Sequence, residues 1–80
     1  MSAMGQAMKE AGDRNGPVAR YVSADYWSLA SKTVSAREGK ARVRDEIWQE
    51  LNEEQRAEAR RLVAMVREDR RQRANQRRRR

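Results

Sequence analysis

The sequence predicts an all-α fold: a small three-helix bundle or helix-turn-helix-like domain with a flexible N-terminus and an arginine-rich C-terminal helical arm. Apolar residues recur every three or four positions in three consecutive segments, which is the spacing of one helix face. The connections between these segments are short, so consecutive helices should lie antiparallel and side by side. We therefore divide the chain into a flexible segment over 1–20, a three-helix domain over 21–66 and an arginine-rich arm over 67–80.

The N-terminal segment combines the features of a turn with those of a short helix. It holds three of the four glycines and the single proline, and its stretch from 13 to 17 is typical of a turn. Before that turn, Met1, Met4 and Met8 lie at helical spacing, and a helix here would offer a methionine face to a partner's groove. A helix of this length is marginal alone, so a frayed terminus is the favoured alternative.

The first helix of the predicted bundle runs over about 24–33. The side chain of Ser23 can cap it by accepting a hydrogen bond from the first turn, and Asp25 lies near the positive end of the helix dipole. This segment is amphipathic, so it supplies the bundle with one buried face. Its apolar stripe comprises Val22, Tyr26, Leu29 and Ala30, with Trp27 and Val34 beside it.

Two capping boxes mark the starts of the second and third helices. Ser35 and Glu38 fit the first box and predict a helix over about 36–51. Asn52 and Gln55 fit the second box, which opens a helix whose apolar face gives way to arginines towards the C-terminus. The apolar stripes comprise Val43, Ile47 and Leu51 in the second helix and Ala59, Leu62, Val63 and Val66 in the third.

The positive charge is concentrated at the C-terminus. The net charge of the chain is +7, and residues 67–80 contribute +6 of it through eight arginines against Glu68 and Asp69. An arginine that neutralises a phosphate releases condensed counterions, and its planar guanidinium donates paired hydrogen bonds to phosphate or guanine. Such a run is typical of proteins that bind nucleic acid or another polyanion.

The composition limits the chemistry available to the chain. It contains no cysteine and no histidine, so it lacks disulfides, thiolate and imidazole metal ligands, a cysteine nucleophile and the usual general base. We therefore expect no enzymatic activity, no cofactor or metal and no small-molecule substrate. No stretch has the length of a membrane-spanning helix or of an apolar signal region, so we expect no membrane partner and a cytoplasmic location.

A second basic cluster lies around the start of the second helix. Cations there oppose the positive end of the helix dipole, at a typical cost of a few tenths of a kcal/mol each. This arrangement indicates that the side chains bind an anion together with the free N–H groups of the first turn. The alternative is a solvated face on which Arg42 and Glu46 form an ion pair. The candidate phosphate-binding residues are Lys32, Arg37, Lys40 and Arg44.

The aromatic residues divide into core candidates and candidate partner contacts. Trp27 and Trp48 lie on or beside apolar stripes, so core packing is favoured over stacking on nucleic-acid bases. Tyr21 precedes the first predicted helix and should be the most exposed aromatic residue. We assign contacts with a protein partner to Tyr21, Tyr26 and Trp27.

The leading hypothesis is a small, basic, non-enzymatic protein that binds DNA or structured RNA through phosphate contacts, as a regulator or a ribonucleoprotein component. One alternative is a protein-binding adaptor or inhibitor of a phage or mobile element, which would block an acidic, nucleic-acid-binding surface of its partner. Another is a self-assembling scaffold, a homo-oligomer with a basic end. The candidate nucleic-acid contacts of the arm are Arg67, Arg70, Arg71, Arg73, Arg77, Arg78, Arg79 and Arg80.

Overall fold

Residues 2–78, which the computed structural model describes, form four helices. These are α1 (Ala3–Glu10), α2 (Pro17–Ala30), α3 (Val34–Glu50) and α4 (Glu53–Arg78). The predicted all-α fold and small-bundle architecture are confirmed, with four helices in place of three over this range. The predicted contacts Arg79 and Arg80 lie outside the described residues, as does Met1. Within 2–78, no helix has both the length and the apolar composition needed to cross a membrane.

α1 is a packed helix over residues 3–10, within the part of the chain that the sequence analysis assigned to a flexible segment over 1–20. The Ser2 hydroxyl caps α1 by accepting a hydrogen bond from the Gly5 N–H at 3.1 Å. Ala7 has no exposed surface, because α1 packs against α4 and α2. A helix this short gains its stability from tertiary contacts, which local sequence does not report.

The turn between α1 and α2 ends at residue 16, so α2 begins closer to the N-terminus than the predicted start at about residue 24. Gly12 follows the end of α1 with φ of 83°, in the left-handed region that glycine adopts without strain. Asp13 then accepts a hydrogen bond from the Asn15 N–H at 2.9 Å, as expected of a turn. α2 begins at Pro17, whose fixed φ suits the first position of a helix. Ser23 therefore lies inside α2 and does not cap it.

α3 is capped by a different residue from the one predicted. The Thr33 hydroxyl accepts a hydrogen bond from the Ala36 N–H at 3.1 Å, so α3 begins one position after Thr33. Ser35 and Glu38 consequently lie within the first turns of the helix, and the capping box assigned to them is wrong. Threonine and serine are both favoured at the N-cap of a helix. The cap is the residue with extended backbone directly before the helix, and here that residue is Thr33.

α4 begins at the capping box of Asn52 and Gln55, where the sequence predicted the start of the third helix. The Gln55 N–H donates to the Asn52 side chain at 2.8 Å, and the Asn52 N–H donates to the Gln55 side chain at 2.9 Å. This reciprocal pair satisfies two backbone donors that would otherwise lack a partner. α4 then runs for 26 residues, about 39 Å, and carries the predicted arm as a continuation of the same helix.

The core consists of two apolar clusters on either side of α2, the central helix, which packs against the other three. The first cluster joins α1, α2 and α4 and has the buried residues Ala7, Val22, Leu62 and Val66. The second cluster joins α2, α3 and α4 and has the buried residues Ala24, Ile47, Leu51 and Ala59. Val66 is the last buried residue of α4, so the helix leaves the core at that point.

We expect Leu62→Ala to lower the free energy of unfolding by about 2–5 kcal/mol, because it leaves a cavity in the first cluster. Leu62 has no exposed surface, whereas Leu29 is 42% exposed. The matched substitution Leu29→Ala should therefore cost much less. Urea unfolding followed by circular dichroism measures both, and equal losses would contradict the assigned core.

The contact between α1 and α4 should weaken in acid. Arg61 Nη2 lies 3.0 Å from Glu10 Oε1, and hydrogen bonding from Arg61 holds the pKa of Glu10 below its ordinary value. A lowered carboxyl pKa stabilises the fold above the unfolded value of about 4.3, and this contribution disappears as pH falls through the folded value. Thermal unfolding should show Glu10→Gln less stable than wild type near neutral pH, and the difference should shrink as pH falls below about 4. Glu46→Gln, an exposed change on α3 outside its first and last turns, is the control.

Candidate nucleic-acid interface

The C-terminal half of α4 is divided lengthwise into a basic face and a polar face. Successive residues of an α-helix are about 100° apart, which places all six described arginines after Val66 within an arc of about 160°. We call this the arginine face, and it consists of Arg67, Arg70, Arg71, Arg73, Arg77 and Arg78. The opposite side carries the carboxylates and amides Glu68, Asp69, Gln72, Asn75 and Gln76. Every member of the arginine face is solvent-exposed.

Two arginines of this face pair with carboxylates one turn earlier. Arg71 pairs with Glu68, and Arg73 Nε lies 3.0 Å from Asp69 Oδ2. Exposed pairs at this spacing contribute only about 0.3–0.5 kcal/mol, so they do not hold the guanidinium groups firmly. Both arginines can therefore exchange these partners for a stronger anion.

The other arginines beyond Arg67 have no carboxylate partner among the described residues. The Arg70 guanidinium lies 5.8 Å from the centre of the Tyr26 ring, a cation–π distance. Arg77 and Arg78 make no side-chain hydrogen bond or ion pair with another residue of the range 2–78. The positive charges of Arg70, Arg77 and Arg78 are therefore exposed to solvent and not neutralised by a carboxylate of the described residues.

Arg67 and Arg44, by contrast, bind a buried carboxylate. Asp25 is 3% exposed, and Arg67 donates to it through Nε at 3.1 Å and through Nη2 at 2.6 Å. Arg44 Nη1 lies 3.3 Å from Asp25 Oδ1 and 3.4 Å from the Ser28 hydroxyl. We call these four residues the Asp25 cluster. It joins α2, α3 and α4, and it removes two predicted nucleic-acid contacts from that role.

The cluster stabilises the charged form of Arg67. Hydrogen bonding to Asp25 raises the pKa of the Arg67 guanidinium above its already high ordinary value, although partial burial works in the opposite direction. A group whose pKa is raised on folding stabilises the fold at every pH below its ordinary value, which is about 12 for arginine. This stabilisation is lost only at higher pH. Near the cluster, burial and the negative charge of Asp25 raise the pKa of Tyr21, so its hydroxyl stays protonated.

The second predicted phosphate site is not assembled. Arg37 Nη1 donates to the Ser31 carbonyl oxygen at 2.9 Å, near the C-terminal end of α2, and Arg44 is held in the Asp25 cluster. Lys40 lines a groove that α3 forms together with α1 and α2, and Lys32 is exposed in the α2–α3 turn. Two of the four predicted cations, Arg37 and Arg44, thus have partners in or directly after α2.

The aromatic residues are arranged differently from the sequence prediction. Trp27, favoured for the core, is 45% exposed, with its ring centre 5.0 Å from that of Tyr26 in an edge-to-face contact. Tyr21, expected to be the most exposed, is half-buried with its ring centre 5.2 Å from that of Trp48. Of the three assigned partner contacts, Trp27 alone belongs to the exposed class within residues 2–78.

Asp25 is the residue that sequence reasoning missed. It was assigned to the helix dipole, but α2 begins at Pro17, so Asp25 lies well inside the helix. The signal was its place on the apolar stripe, three residues after Val22 and next to Tyr26. A carboxylate on a buried stripe requires a cationic partner. No group of acidic residues within 2–78 is arranged to hold a metal ion.

We expect Arg67→Gln to lower the free energy of unfolding by about 1–2 kcal/mol. Breaking a fully buried pair costs more, about 3–5 kcal/mol, but half of the Arg67 side chain is exposed and Arg44 still faces Asp25. Arg77→Gln removes the same charge from the same helix without a partner and should change stability very little. Urea unfolding of both variants measures the difference, and equal stabilities would show that Asp25 does not depend on Arg67.

Comparison with known proteins gives no functional assignment for this chain. No protein-family model, curated protein or solved structure matches it. Its function is therefore inferred from its own described residues: an exposed arginine face on α4, held in place by a buried carboxylate on α2.

Proposed function

We propose that this chain is a non-enzymatic, cytoplasmic protein that binds DNA or structured RNA through the arginine face of α4. The observation that carries the proposal is the exposure of five arginines on one side of a helix that has already left the core. Their spacing along about two turns of helix suits successive phosphates of a nucleic-acid backbone. The contacts are Arg70, Arg71, Arg73, Arg77 and Arg78.

The helical form of the arm supports this role. A disordered basic tail must lose conformational entropy when it binds, whereas a helix that continues from a packed bundle has already been ordered. Arg67 contributes by tying the first turn of the arm to Asp25, so it is a positioning residue rather than a nucleic-acid contact. The arm therefore presents its arginine side chains along one side of an ordered helix.

Phosphate contacts from such a row give affinity without sequence specificity. Each neutralised phosphate adds about 0.9 to the slope of log affinity against log salt concentration for duplex DNA. Five contacts correspond to a slope of about 4 to 5, which is steep enough to separate this mode from binding to an acidic protein. The preference between duplex DNA and structured RNA depends on how the helix fits each groove.

The decisive experiment compares wild type with the triple variant Arg70→Gln, Arg77→Gln and Arg78→Gln. We expect the triple variant to lose up to about 3 units of salt slope on fluorescently labelled duplex DNA or structured RNA, measured by anisotropy. All three side chains are exposed and lack a carboxylate partner among the described residues, so the fold should not change. Removing the whole arm after Val66 is a poorer test, because it also removes Arg67 from the Asp25 cluster.

The control triple Arg14→Gln, Arg20→Gln and Arg42→Gln removes the same charge from exposed positions outside α4. We expect it to retain most of the wild-type salt slope. Equal losses in both triples would show that binding follows net charge and not the arginine face. Absence of binding by wild type near physiological salt would reject the proposal and favour a protein partner with an acidic surface.

A further inference from the structure

A second surface is lined by residues of α1, α2 and α3 and by none of the described residues of α4. It is a groove of about 970 Å³ whose floor is α2, with α1 along one side and α3 along the other. The floor consists largely of small residues, including Ala19, Ser23 and Ala24, next to the exposed ring of Trp27. Small side chains let another backbone come close. The arginine face of α4 takes no part in this groove.

The walls of the groove are apolar. Met4 and Met8 line it from α1, and Val43 and Ile47 line it from α3. Methionine side chains are flexible and polarisable, so they adapt to the side chains of a bound peptide. Val43 is 41% exposed, which leaves apolar surface uncovered along this side.

The charges around the groove have a single sign. Its lining includes four cations, contributed by α1, the α1–α2 turn, α2 and α3, and it includes no carboxylate. The four cations are Lys9, Arg14, Arg20 and Lys40. An apolar channel edged with positive charge is complementary to an apolar stripe flanked by acidic residues.

We infer that this groove binds an acidic amphipathic helix of a partner protein. α1 is eight residues long and forms a wall of about 12 Å, which accommodates about two turns of a helix. Apolar residues at i, i+3 or i+4 and i+7 of the partner would contact the floor, and flanking glutamates or aspartates would face the cations. This role is separate from nucleic-acid binding, so either one can fail without the other.

Two other occupants fit less well. A nucleic-acid backbone would place phosphates over methionine, valine and isoleucine side chains, which supply no hydrogen-bond donors. A second copy of this chain carries the same net charge of +7, so two copies repel each other. An acidic helix satisfies both the apolar floor and the cationic edges.

The test uses the full chain and a fluorescein-labelled synthetic helix of about 18 residues, long enough to be partly helical alone. The peptide carries leucine at i, i+4 and i+7 and glutamate on both flanks. A second peptide has lysine in place of every glutamate. We expect anisotropy to report saturable binding of the glutamate peptide and at least about tenfold weaker binding of the lysine peptide, equivalent to about 1.4 kcal/mol.

Matched substitutions on α3 then locate the site. Val43→Glu places a carboxylate in the groove wall and should weaken the glutamate peptide about tenfold or more. Val34→Glu makes the same change on the same helix at a residue that is 59% exposed and outside the groove, and it should have little effect. Should Val43→Glu disturb the fold, the exposed pair Lys40→Gln and Arg42→Gln repeats the comparison, with weakening expected only for the first.

Four outcomes would overturn the inference. They are failure of the glutamate peptide to bind, equal binding of the two peptides, equal effects of the groove and control substitutions, and sedimentation showing that a second copy covers the groove. Nucleic-acid binding of Val43→Glu is measured in parallel. Its retention leaves the two surfaces independent, whereas its loss together with peptide binding would assign the groove to nucleic acid instead.

Discussion

The buried carboxylate of Asp25 is the interaction on which the arrangement of the bundle depends. It lies in the middle of the central helix α2, and its two oxygens accept hydrogen bonds from α3 through Arg44 and from α4 through Arg67. A charge buried to this extent is costly unless its partners are in place, so helix positions that separate them are disfavoured. Burial of the two apolar clusters holds the helices together, but hydrophobic burial is not directional and does not fix how the helices are oriented. The charge-assisted hydrogen bonds of the Asp25 cluster are directional, so they fix the orientation of α2, α3 and α4.

Contacts with the Asp25 carboxylate and with backbone oxygen also distinguish some arginines of the chain from those farther along the arm. Those that face Asp25 or a backbone carbonyl hold the structure together, as Arg44, Arg67 and Arg37 do. Those beyond the first turn of the arm face solvent, with weak partners or none among the described residues. Sequence alone does not separate the groups, because all of these residues are arginines at helix positions. For Arg44 and Arg67, this difference depends on the position of Asp25, the one buried carboxylate among residues 2–78.

α1 makes two contributions to the fold: it completes the core, and it forms one side of the cationic groove. By packing its buried Ala7 against the first apolar cluster, it completes the core that a three-helix domain would leave open. Its methionines then stand across from α3 and form one side of the cationic groove. The sequence analysis offered two interpretations of the methionine spacing, a helix for a partner's groove and, as the favoured one, a frayed terminus, whereas Met4 and Met8 line a groove of the chain itself. The molecule thus has two basic surfaces of different chemistry, one an arginine row and the other an apolar channel with cationic edges.

The all-α class, the capping box of Asn52 and Gln55 and the helical course of the arm were determined by local sequence, because they depend on periodicity and on contacts between residues three or four positions apart. The start of α2 at Pro17 was also within reach of local rules, since proline is favoured at the first helical position. Only the tertiary structure decided three other features. Residues 3–10 form a packed helix, Asp25 is buried and Tyr21 half-buried, and the Trp27 side chain is exposed. Each of them depends on side chains brought together from distant parts of the chain, such as Asp25 and Arg67, and periodicity within one helix contains no information about that pairing.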